Sequence, residues 1–377
     1  MPERPAPLVL VVDPSQAAAD APFGSYGAVA ATGQRLLAGE LAERLGAQGA
    51  AVAPLRPITP PPGATFHWGR WFAAAARAAI ASGTLDAIGY AGAGSLALVA
   101  DAALDDLLSP VAGEVVANNR WSADAFVIAG DLPLALAALE ACPTDNAAVR
   151  ALDLAGFTVR DQSSAPWSRF DVDTPLDLAL LRVATALPEG RRPAEAVARF
   201  LAMAQLPGGR GLVVPRLEEL GAVIRDRSAE LVVAGRLPAA TLAFLETETA
   251  CRVRAFVEER GMRSARDTGR PRSLLAALMA RSSPADLVAE LTALGDAVVL
   301  DSRVVMAAIG GSADASAWPP EEERFASDFG DAGPVQTAWL RELTTAAAAA
   351  SVPVLLGGHA LVSDGMRIVV GAAWAGR

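Results

Sequence analysis

Short apolar runs alternate along this chain with longer stretches rich in alanine and leucine. This alternation is typical of a mostly parallel β-sheet covered by helices, because each buried strand is followed by a helix that returns the chain. In the first half we predict strands at residues 8–12, 49–53, 85–90, 113–117, 124–128 and 156–160. We predict helices there at residues 32–46, 70–82, 99–108, 133–141, 145–155 and 175–186. The expected fold class is α/β.

The second half of the chain repeats the alternation. Its predicted strands are residues 211–214, 230–233, 252–257, 297–300, 304–308, 353–356 and 368–372. Its predicted helices are residues 238–248, 271–280, 284–294 and 335–350. A polar stretch rich in proline, glycine and arginine separates the halves at residues 187–193, and 377 residues exceed the length at which one core usually keeps growing. We therefore expect two three-layer α/β domains, residues 1–187 and residues 188–377.

Composition narrows the classes of partner. The formal net charge is −10, which argues against broad nucleic-acid binding because such binding needs a basic surface. No apolar run reaches the roughly 18 residues that cross a bilayer, and the first residues lack the features of a secretory signal. Cys142 and Cys251 form neither a ligand-spaced cluster nor a disulfide framework. We expect a cytoplasmic protein with small-molecule partners, and the alanine-rich composition leaves room for a homodimer.

Two carboxylates lie two residues apart at Asp171 and Asp173, at a predicted strand end. Side chains two apart on a strand point to the same side, so both could present oxygens to one Mg²⁺ ion. Thr174, Pro175 and Asp177 then predict a helix start, with Thr174 as N-cap and Pro175 at the first helical position. All 32 basic residues are arginine, so a phosphate would be held by arginine, backbone N–H groups or metal.

A glycine-rich turn, which includes Gly92, Gly94 and Ser95, follows a predicted strand and precedes a predicted helix. Its glycines could let backbone N–H groups approach an anion, or could serve the turn itself.

A second polar segment contains Asn118, Asn119 and Asp124 between two apolar runs. Its amides could bind a base or sugar, or could form a turn with an Asx cap. Asp145 and Asn146, further along, could contact a ligand or cap a helix.

Polar candidates in the second half are Arg252, Arg254, Glu258, Glu259, Arg260, Gly357, Gly358 and His359. The arginines alternate along a predicted strand and could line an anion site or form surface ion pairs. His359 follows an apolar strand, where ligands bind in open α/β sheets. It could act as an acid, base or phosphate donor, or be a packed hydrogen-bonding residue.

The order of these pieces resembles the nucleotidyltransferases of the GT-A-like α/β class over about residues 7–186. The final Asp-x-Asp-Thr-Pro-x-Asp-Leu motif at residues 171–178 is the specific part of the match. The families most similar are the 2-phospholactate guanylyltransferases and the molybdenum-cofactor nucleotidyltransferases. The resemblance implies a GT-A-like, mostly parallel sheet, nucleotide binding, and Asp171 and Asp173 as metal ligands.

The chain departs from that family at the phosphate loop. Family members carry a glycine-rich basic loop after the first strand, whereas residues 12–17 here contain neither glycine nor a basic residue. A substitute could come from Gly24, Ser25, Gly27, Gly33 and Arg35. The family also places an Asp-Leu-Pro where residues 91–95 lie, whereas this chain has it at residues 131–133, where it predicts a helix start.

These patterns support three hypotheses. The first is a Mg²⁺-dependent nucleotidyltransferase that moves a nucleotide from a nucleoside triphosphate to a small phosphorylated metabolite. The second is a non-catalytic nucleotide- or metabolite-binding scaffold or regulatory protein, which the missing phosphate loop favours. The third is a glycosyltransferase that uses a sugar nucleotide. The role of the second domain is not indicated by its sequence.

Overall fold

The chain forms two compact units in the computed structural model. The structure describes residues 6–20, 24–58, 66–81, 83, 85–165, 167–185, 187, 192–204, 213–258 and 271–375. Unit 1 consists of residues 1–21, 31–173 and 191–198, and unit 2 of residues 22–30, 174–190 and 199–377. Residues 174–187, which the sequence assigned to the first domain, therefore belong with unit 2.

Both units are mixed α/β structures, as predicted. The strands are β1 (Leu8–Val12), β2 (Ala51–Leu55), β3 (Ala87–Ala91), β4 (Glu114–Ala117), β5 (Ala125–Ala129), β6 (Thr158–Asp161), β7 (Glu230–Gly235), β8 (Arg252–Val257), β9 (Ala297–Asp301) and β10 (Val354–Gly357). The helices of the first half are α1 (Ser15–Asp20), α2 (Tyr26–Ala47), α3 (Trp68–Ala81), α4 (Asp101–Leu107), α5 (Leu132–Glu140), α6 (Ala148–Leu154) and α7 (Pro175–Ala184).

The remaining helices are α8 (Glu195–Met203), α9 (Val213–Arg225), α10 (Ala239–Glu248), α11 (Leu274–Arg281), α12 (Pro284–Thr292), α13 (Ser302–Gly310), α14 (Glu321–Asp328), α15 (Ala338–Ala349) and α16 (Met366–Ala375). Short 3₁₀ turns cover Asp145–Ala147 and Ala315–Ala317, and a π-helical turn covers Leu361–Gly365.

Unit 1 contains a six-stranded sheet in the order β2-β1-β3-β5-β4-β6. β5 runs antiparallel to both of its neighbours, and the other pairings in the sheet are parallel. This reversal brings the start of β5 to the same edge as the ends of β3 and β4. Polar residues at these three points therefore meet, which fixes the position of the candidate site.

Helices cover both faces of this sheet because its strand residues alternate in direction. On one face Leu10, Ile88 and Phe126 pack in an apolar cluster with residues of α3, α5 and α6. On the other face Val9 and Val127 pack with residues of α2 and α4. The two clusters make unit 1 a three-layer structure.

Unit 2 contains a parallel four-stranded sheet in the order β10-β9-β7-β8. Strands β9 and β10 are buried at every position, which is expected when helices cover both faces. β8 forms one edge of the sheet and is partly exposed. The strand order reverses between β7 and β9, the position at which open α/β sheets commonly bind ligands.

Three strand predictions in the second half are wrong. Residues 304–308 lie inside α13 and residues 368–372 lie inside α16. Val213 and Val214, the end of a third predicted strand, open α9, and its first two residues lie outside the described ranges. These segments are short apolar runs, and such runs do not distinguish a helix from a strand by periodicity.

The predicted helix start at Thr174 is confirmed. The Thr174 side chain accepts a hydrogen bond from the Asp177 N–H, and the Asp177 carboxylate accepts one from the Thr174 N–H at 2.8 Å. The start at Asp131 is confirmed as well, since its carboxylate accepts from the Leu134 N–H at 2.9 Å. Among the described helices, none is both long and apolar enough to cross a membrane.

Candidate functional site

Asp171 and Asp173 lie in an extended segment of unit 1 that is held to the glycine-rich turn. The segment is not part of a sheet strand, in contrast to the prediction, yet its burial alternates as in a strand. Phe170 and Val172 are buried, Asp171 is half-buried and Asp173 is exposed. The Val172 N–H donates to the Gly94 carbonyl oxygen at 3.2 Å. The alternation therefore leaves the two carboxylates on the side away from the core.

Residue 94 must be a glycine because the turn and the segment with Asp171 lie so close together. A Cβ atom at residue 94 would lie 2.3 Å from the Val172 carbonyl oxygen and 2.9 Å from Asp171 Oδ1. The Ser95 hydroxyl, which is buried, donates to the Gly92 carbonyl oxygen at 2.9 Å and closes the turn. Gly94 thus makes room for the carboxylate-bearing segment, while Ser95 is used within the turn itself.

Buried Arg44 of α2 holds the chain that follows this turn. Its guanidinium donates to the carbonyl oxygens of Leu96 and Val99 and forms an ion pair with Asp101. One side chain therefore fixes the path from the turn to the start of α4.

Asn118 closes the polar loop between β4 and β5. Its Oδ1 accepts from the backbone N–H groups of Asp124 and Ala125, both at 3.0 Å. Its Nδ2 donates to the Ser168 carbonyl oxygen at 2.8 Å and lies 3.4 Å from Asp124 Oδ2. The Asn119 side chain accepts from the Trp121 N–H at 3.1 Å. The predicted turn is present, and Asn118 also positions the Asp124 carboxylate.

Asp124 lies at the shared sheet edge beside the glycine-rich turn. Its carbonyl oxygen accepts from the Gly92 N–H at 2.8 Å. Asp145 reaches the same region from the 3₁₀ turn before α6, where the Tyr90 hydroxyl donates to Asp145 Oδ2 at 3.4 Å. Asn146 also contacts the β4–β5 loop, since its Oδ1 accepts from the Ser122 hydroxyl. Residues predicted from separate motifs therefore come together here.

The electrostatics of this cluster are dominated by burial of its acids, and repulsion among the carboxylates adds to the effect. Burial raises the pKa of Asp124 to about 8, and the charges of Asp145 and Asp173 add to the rise. Burial also raises the pKa of Asp145, with a further contribution from Asp173. Burial and the charge of Asp145 raise the pKa of Tyr90 well above its usual value. Among the described residues, no arginine forms an ion pair with Asp124 or Asp145. Asp124 and Asp145 therefore keep their protons to higher pH than ordinary aspartates do.

The carboxylates of this cluster suit a Mg²⁺ ion that is also bound by phosphate. The described residues contain no group of three histidine, cysteine, aspartate or glutamate side chains arranged to hold a metal ion. Mg²⁺ is nevertheless usually bound through one or two carboxylates, with water and substrate phosphate completing its coordination. Asp171 and Asp173 fit this requirement. They suit an ion that arrives with a phosphate ligand better than a permanently bound structural metal.

The loop after β1 begins with an acidic turn. Asp13 follows the strand, and its Oδ1 accepts from the Ser15 N–H at 3.0 Å, so the chain makes an acidic Asx turn. This hydrogen bonding lowers the pKa of Asp13. The segment offers a carboxylate where a triphosphate would need N–H groups or a cation.

The substitute considered from the sequence, around Gly24, Ser25 and Gly27, is bound to the chain itself within unit 2. The N–H groups of Tyr26 and Gly27, at the start of α2, donate to the two Glu322 oxygens at 2.7 and 2.9 Å. A carboxylate of α14 therefore occupies the position that an anionic ligand would take at this helix end.

In unit 2 the exposed Arg252 and Arg254 pair with Glu230 at 3.0 and 3.3 Å. The Glu258 side chain accepts from the Ser273 hydroxyl at 2.9 Å and from the Leu275 N–H at 3.2 Å, at the start of α11. These contacts are surface ion pairs and a helix cap. Glu259 and Arg260 lie outside the described residues.

Gly357 ends β10, and Gly358 and His359 follow it, near a buried ion pair that the sequence did not predict. Arg236 Nε lies 2.7 Å from Asp301 Oδ2, where the strand order reverses between β7 and β9. Burial acts to raise the pKa of Asp301, but Arg236 and His359 outweigh it, and the pKa lies below its usual value. The position at which such sheets take ligands is here filled by the chain's own side chains.

A second buried pair lies beside the first. Arg303 donates to both oxygens of Asp328 at 2.6 Å, and both side chains are almost fully buried. Because Arg303 follows Asp301 by two residues, the two pairs fix the start of α13 to α14 and to the residue after β7.

Three residues at or near these sites were not predicted from the sequence. Tyr90 supports Asp145, Trp121 is exposed on the β4–β5 loop, and Glu322 caps α2. Trp121 lies inside a polar loop, which is a signal that could have identified it. The Tyr90 and Glu322 contacts join distant parts of the chain and leave no local signal.

No protein-family model and no curated protein matches this chain.

Proposed function

We propose that unit 1 acts as a Mg²⁺-dependent nucleotidyltransferase that transfers a nucleotide from a nucleoside triphosphate to a small phosphorylated metabolite. One observation carries the proposal. Carboxylates from separate parts of the chain converge at one sheet edge, where Asp124 and Asp145 have no arginine partner among the described residues. Burying acids without a cationic partner costs stability, and perturbed acids of this kind cluster at functional sites.

The chemistry of the proposed reaction is simple. A phosphate oxygen of the acceptor attacks the α-phosphorus, the bond from that phosphorus to its bridging oxygen breaks, and pyrophosphate leaves. Bound Mg²⁺ would supply neutralisation of the charge that develops on the phosphates. Nucleoside triphosphates are present in the cytoplasm, which is where we propose that the protein acts.

The chain's own residues would bind and orient. Asp171 and Asp173 would hold the ion, and the Gly94 turn keeps their segment in place through its contact with Val172. Asn118 orients Asp124, and Tyr90 orients Asp145. Catalysis would then come mainly from positioning and electrostatics.

A second candidate is Mg²⁺-dependent nucleotide binding without turnover. Two observations favour it: the acidic turn after β1, and the Glu322 carboxylate bound at the start of α2. Each feature places a carboxylate at a position where the triphosphate could otherwise bind. A protein of this kind would bind the ligand and release no pyrophosphate.

The test measures binding and turnover on the full chain. Each of ATP, GTP, CTP and UTP is titrated by calorimetry with Mg²⁺ and with a chelator. Pyrophosphate release is followed after addition of a mixture of phosphorylated metabolites. Asp173→Asn is the informative variant because it removes the charge of an exposed carboxylate and keeps the size of the side chain. Asp105→Asn, an exposed change on α4 of the same unit, is the matched control.

The transferase predicts Mg²⁺-dependent binding and pyrophosphate release, both lost in Asp173→Asn and kept in Asp105→Asn. Binding with the same Mg²⁺ dependence but no pyrophosphate would favour the second candidate. Equal binding with and without Mg²⁺, or full activity in Asp173→Asn, would refute the metal site.

A further inference from the structure

Trp121 exposes an unusually large apolar surface. Its side chain is 69% exposed, more than the 42% of Phe66, another exposed aromatic residue. Single exposed apolar residues are common on protein surfaces and need no explanation by themselves. The surroundings of Trp121 are what distinguish it, because the chain on both sides of the ring is held by side-chain hydrogen bonds.

The loop that carries Trp121 is held at successive residues. The Trp121 N–H donates to Asn119 Oδ1 at 3.1 Å, and the Arg120 N–H donates to Asp161 Oδ1 at 3.1 Å. On the other side the Ser122 hydroxyl donates to Asn146 Oδ1. Because the loop is already held in place, its backbone does not have to become ordered when a ligand binds to the ring. Such preorganisation increases affinity.

The same loop reaches the acidic cluster. Trp121 precedes Asp124 by three positions, so their Cα atoms are at most about 11 Å apart. The contact from Ser122 leads to Asn146, the neighbour of Asp145. The ring therefore lies within the reach of one nucleotide whose phosphates sit at the carboxylates.

One neighbour of the ring is a cation. The Arg120 guanidinium carbon lies 5.6 Å from the centroid of the Trp121 ring, and Arg120 is held by Asp153 at 2.6 Å. Arginine and tryptophan together form the kind of surface on which planar heteroaromatic rings stack. Stacking of this type tolerates different bases, because every base has a π face.

We propose that Trp121 is a stacking platform for the planar heteroaromatic base of the nucleotide that unit 1 binds. This inference rests on the proposed function, and it adds the chemical class of the group that selects the ligand. A phosphate compound without a base would not use this subsite.

The experiment separates base recognition from phosphate recognition on the full chain. The probes are ATP, GTP, CTP and UTP, with inorganic tripolyphosphate as the probe without a base, each with Mg²⁺. Affinities are compared for the unchanged chain, Trp121→Ala, Trp121→Phe and Asp173→Asn. Leu154→Ala is the matched control because Leu154 is 85% exposed at the end of α6 in the same unit. Tryptophan fluorescence is recorded in parallel.

Stacking predicts that Trp121→Ala weakens nucleotide binding roughly 5- to 150-fold, with tripolyphosphate binding unchanged. Trp121→Phe should keep most of the affinity because it retains an aromatic face, and it should lose the fluorescence quenching caused by the base. Leu154→Ala should bind as the unchanged chain does.

Three results separate the failure of this inference from failure of the proposed function. Equal nucleotide affinity in Trp121→Ala and the unchanged chain, with Mg²⁺ dependence intact, would overturn the stacking platform alone. Trp121-dependent binding that ignores Mg²⁺ and Asp173→Asn would uphold the platform and overturn the metal-dependent function. An unchanged chain that binds none of the four nucleotides would overturn both.

Discussion

Replacing Asp124 with asparagine should stabilise the ligand-free protein at alkaline pH. Burial, followed by the charges of Asp145 and Asp173, raises the pKa of Asp124 to about 8. Its ordinary value is 3.8. In the intervening range the unfolded chain has released this proton and the folded protein has kept it. The folded state binds more protons, so stability falls as pH rises from about 4 and levels off above about 8.

The size of the expected loss of stability follows from the shift in the Asp124 pKa. Each pKa unit corresponds to about 1.4 kcal/mol, so a shift of about four units sets an upper limit of roughly 6 kcal/mol. Asp124 keeps part of its surface in solvent and shares the titration with Asp145, which reduces the expected loss. We expect the unchanged chain to lose about 2–3 kcal/mol between about pH 5 and about pH 9 through this residue. Asp124→Asn should not show that loss.

Urea unfolding followed by fluorescence, with a chelator present, tests this expectation at about pH 5, 7 and 9. The Asn118 amide lies 3.4 Å from Asp124 Oδ2, and an asparagine at residue 124 keeps an oxygen for that contact. Asp105→Asn serves as the control, since it removes an exposed carboxylate from the same unit. Parallel curves of stability against pH for Asp124→Asn and the unchanged chain would refute the argument.

Two further changes test other contacts. Gly94→Ala places a Cβ atom 2.3 Å from the Val172 carbonyl oxygen, so we expect a loss of about 1–3 kcal/mol in urea unfolding and weakened Mg²⁺-dependent binding. Gly39→Ala, in open space on α2, should instead add about 0.5–1 kcal/mol, and equal effects of the two changes would contradict the crowding at Gly94. Arg236→Met removes the ion-pair partner of the fully buried Asp301 and should cost about 3–5 kcal/mol, whereas Arg236→Met with Asp301→Leu should recover most of it. A loss below about 1 kcal/mol in Arg236→Met would show that Asp301 has another means of compensation.

The strands of unit 1 could be predicted from the sequence because turn signals bound each short apolar run. The predicted 8–12 coincides with β1, and 124–128 differs from β5 by one residue at each end. In unit 2 the same rule was wrong at α13. Val304 to Ala307 are buried without interruption, and a helix buried on all sides has no polar face to reveal its period.

The candidate site could be predicted only in part. The spacing of Asp171 and Asp173 and the cap at Thr174 are local patterns, so the sequence shows them directly. The meeting of Asp124 with Gly92 depends on the reversed direction of β5, which no local pattern specifies. The contact from Tyr26 to Glu322 joins residues 296 positions apart and could not have been predicted from either segment alone.

The Glu322 contact also makes anion binding at this helix end difficult to acquire by mutation. A variant that freed the N–H groups of Tyr26 and Gly27 would first have to lose the Glu322 carboxylate, which satisfies both. Tyr26 is itself buried against Phe329, and its hydroxyl donates a hydrogen bond to Asp331. Loss of the Glu322 contact would therefore destabilise the fold before any ligand bound. A single substitution that exposes these N–H groups to an anion would therefore destabilise unit 2 first.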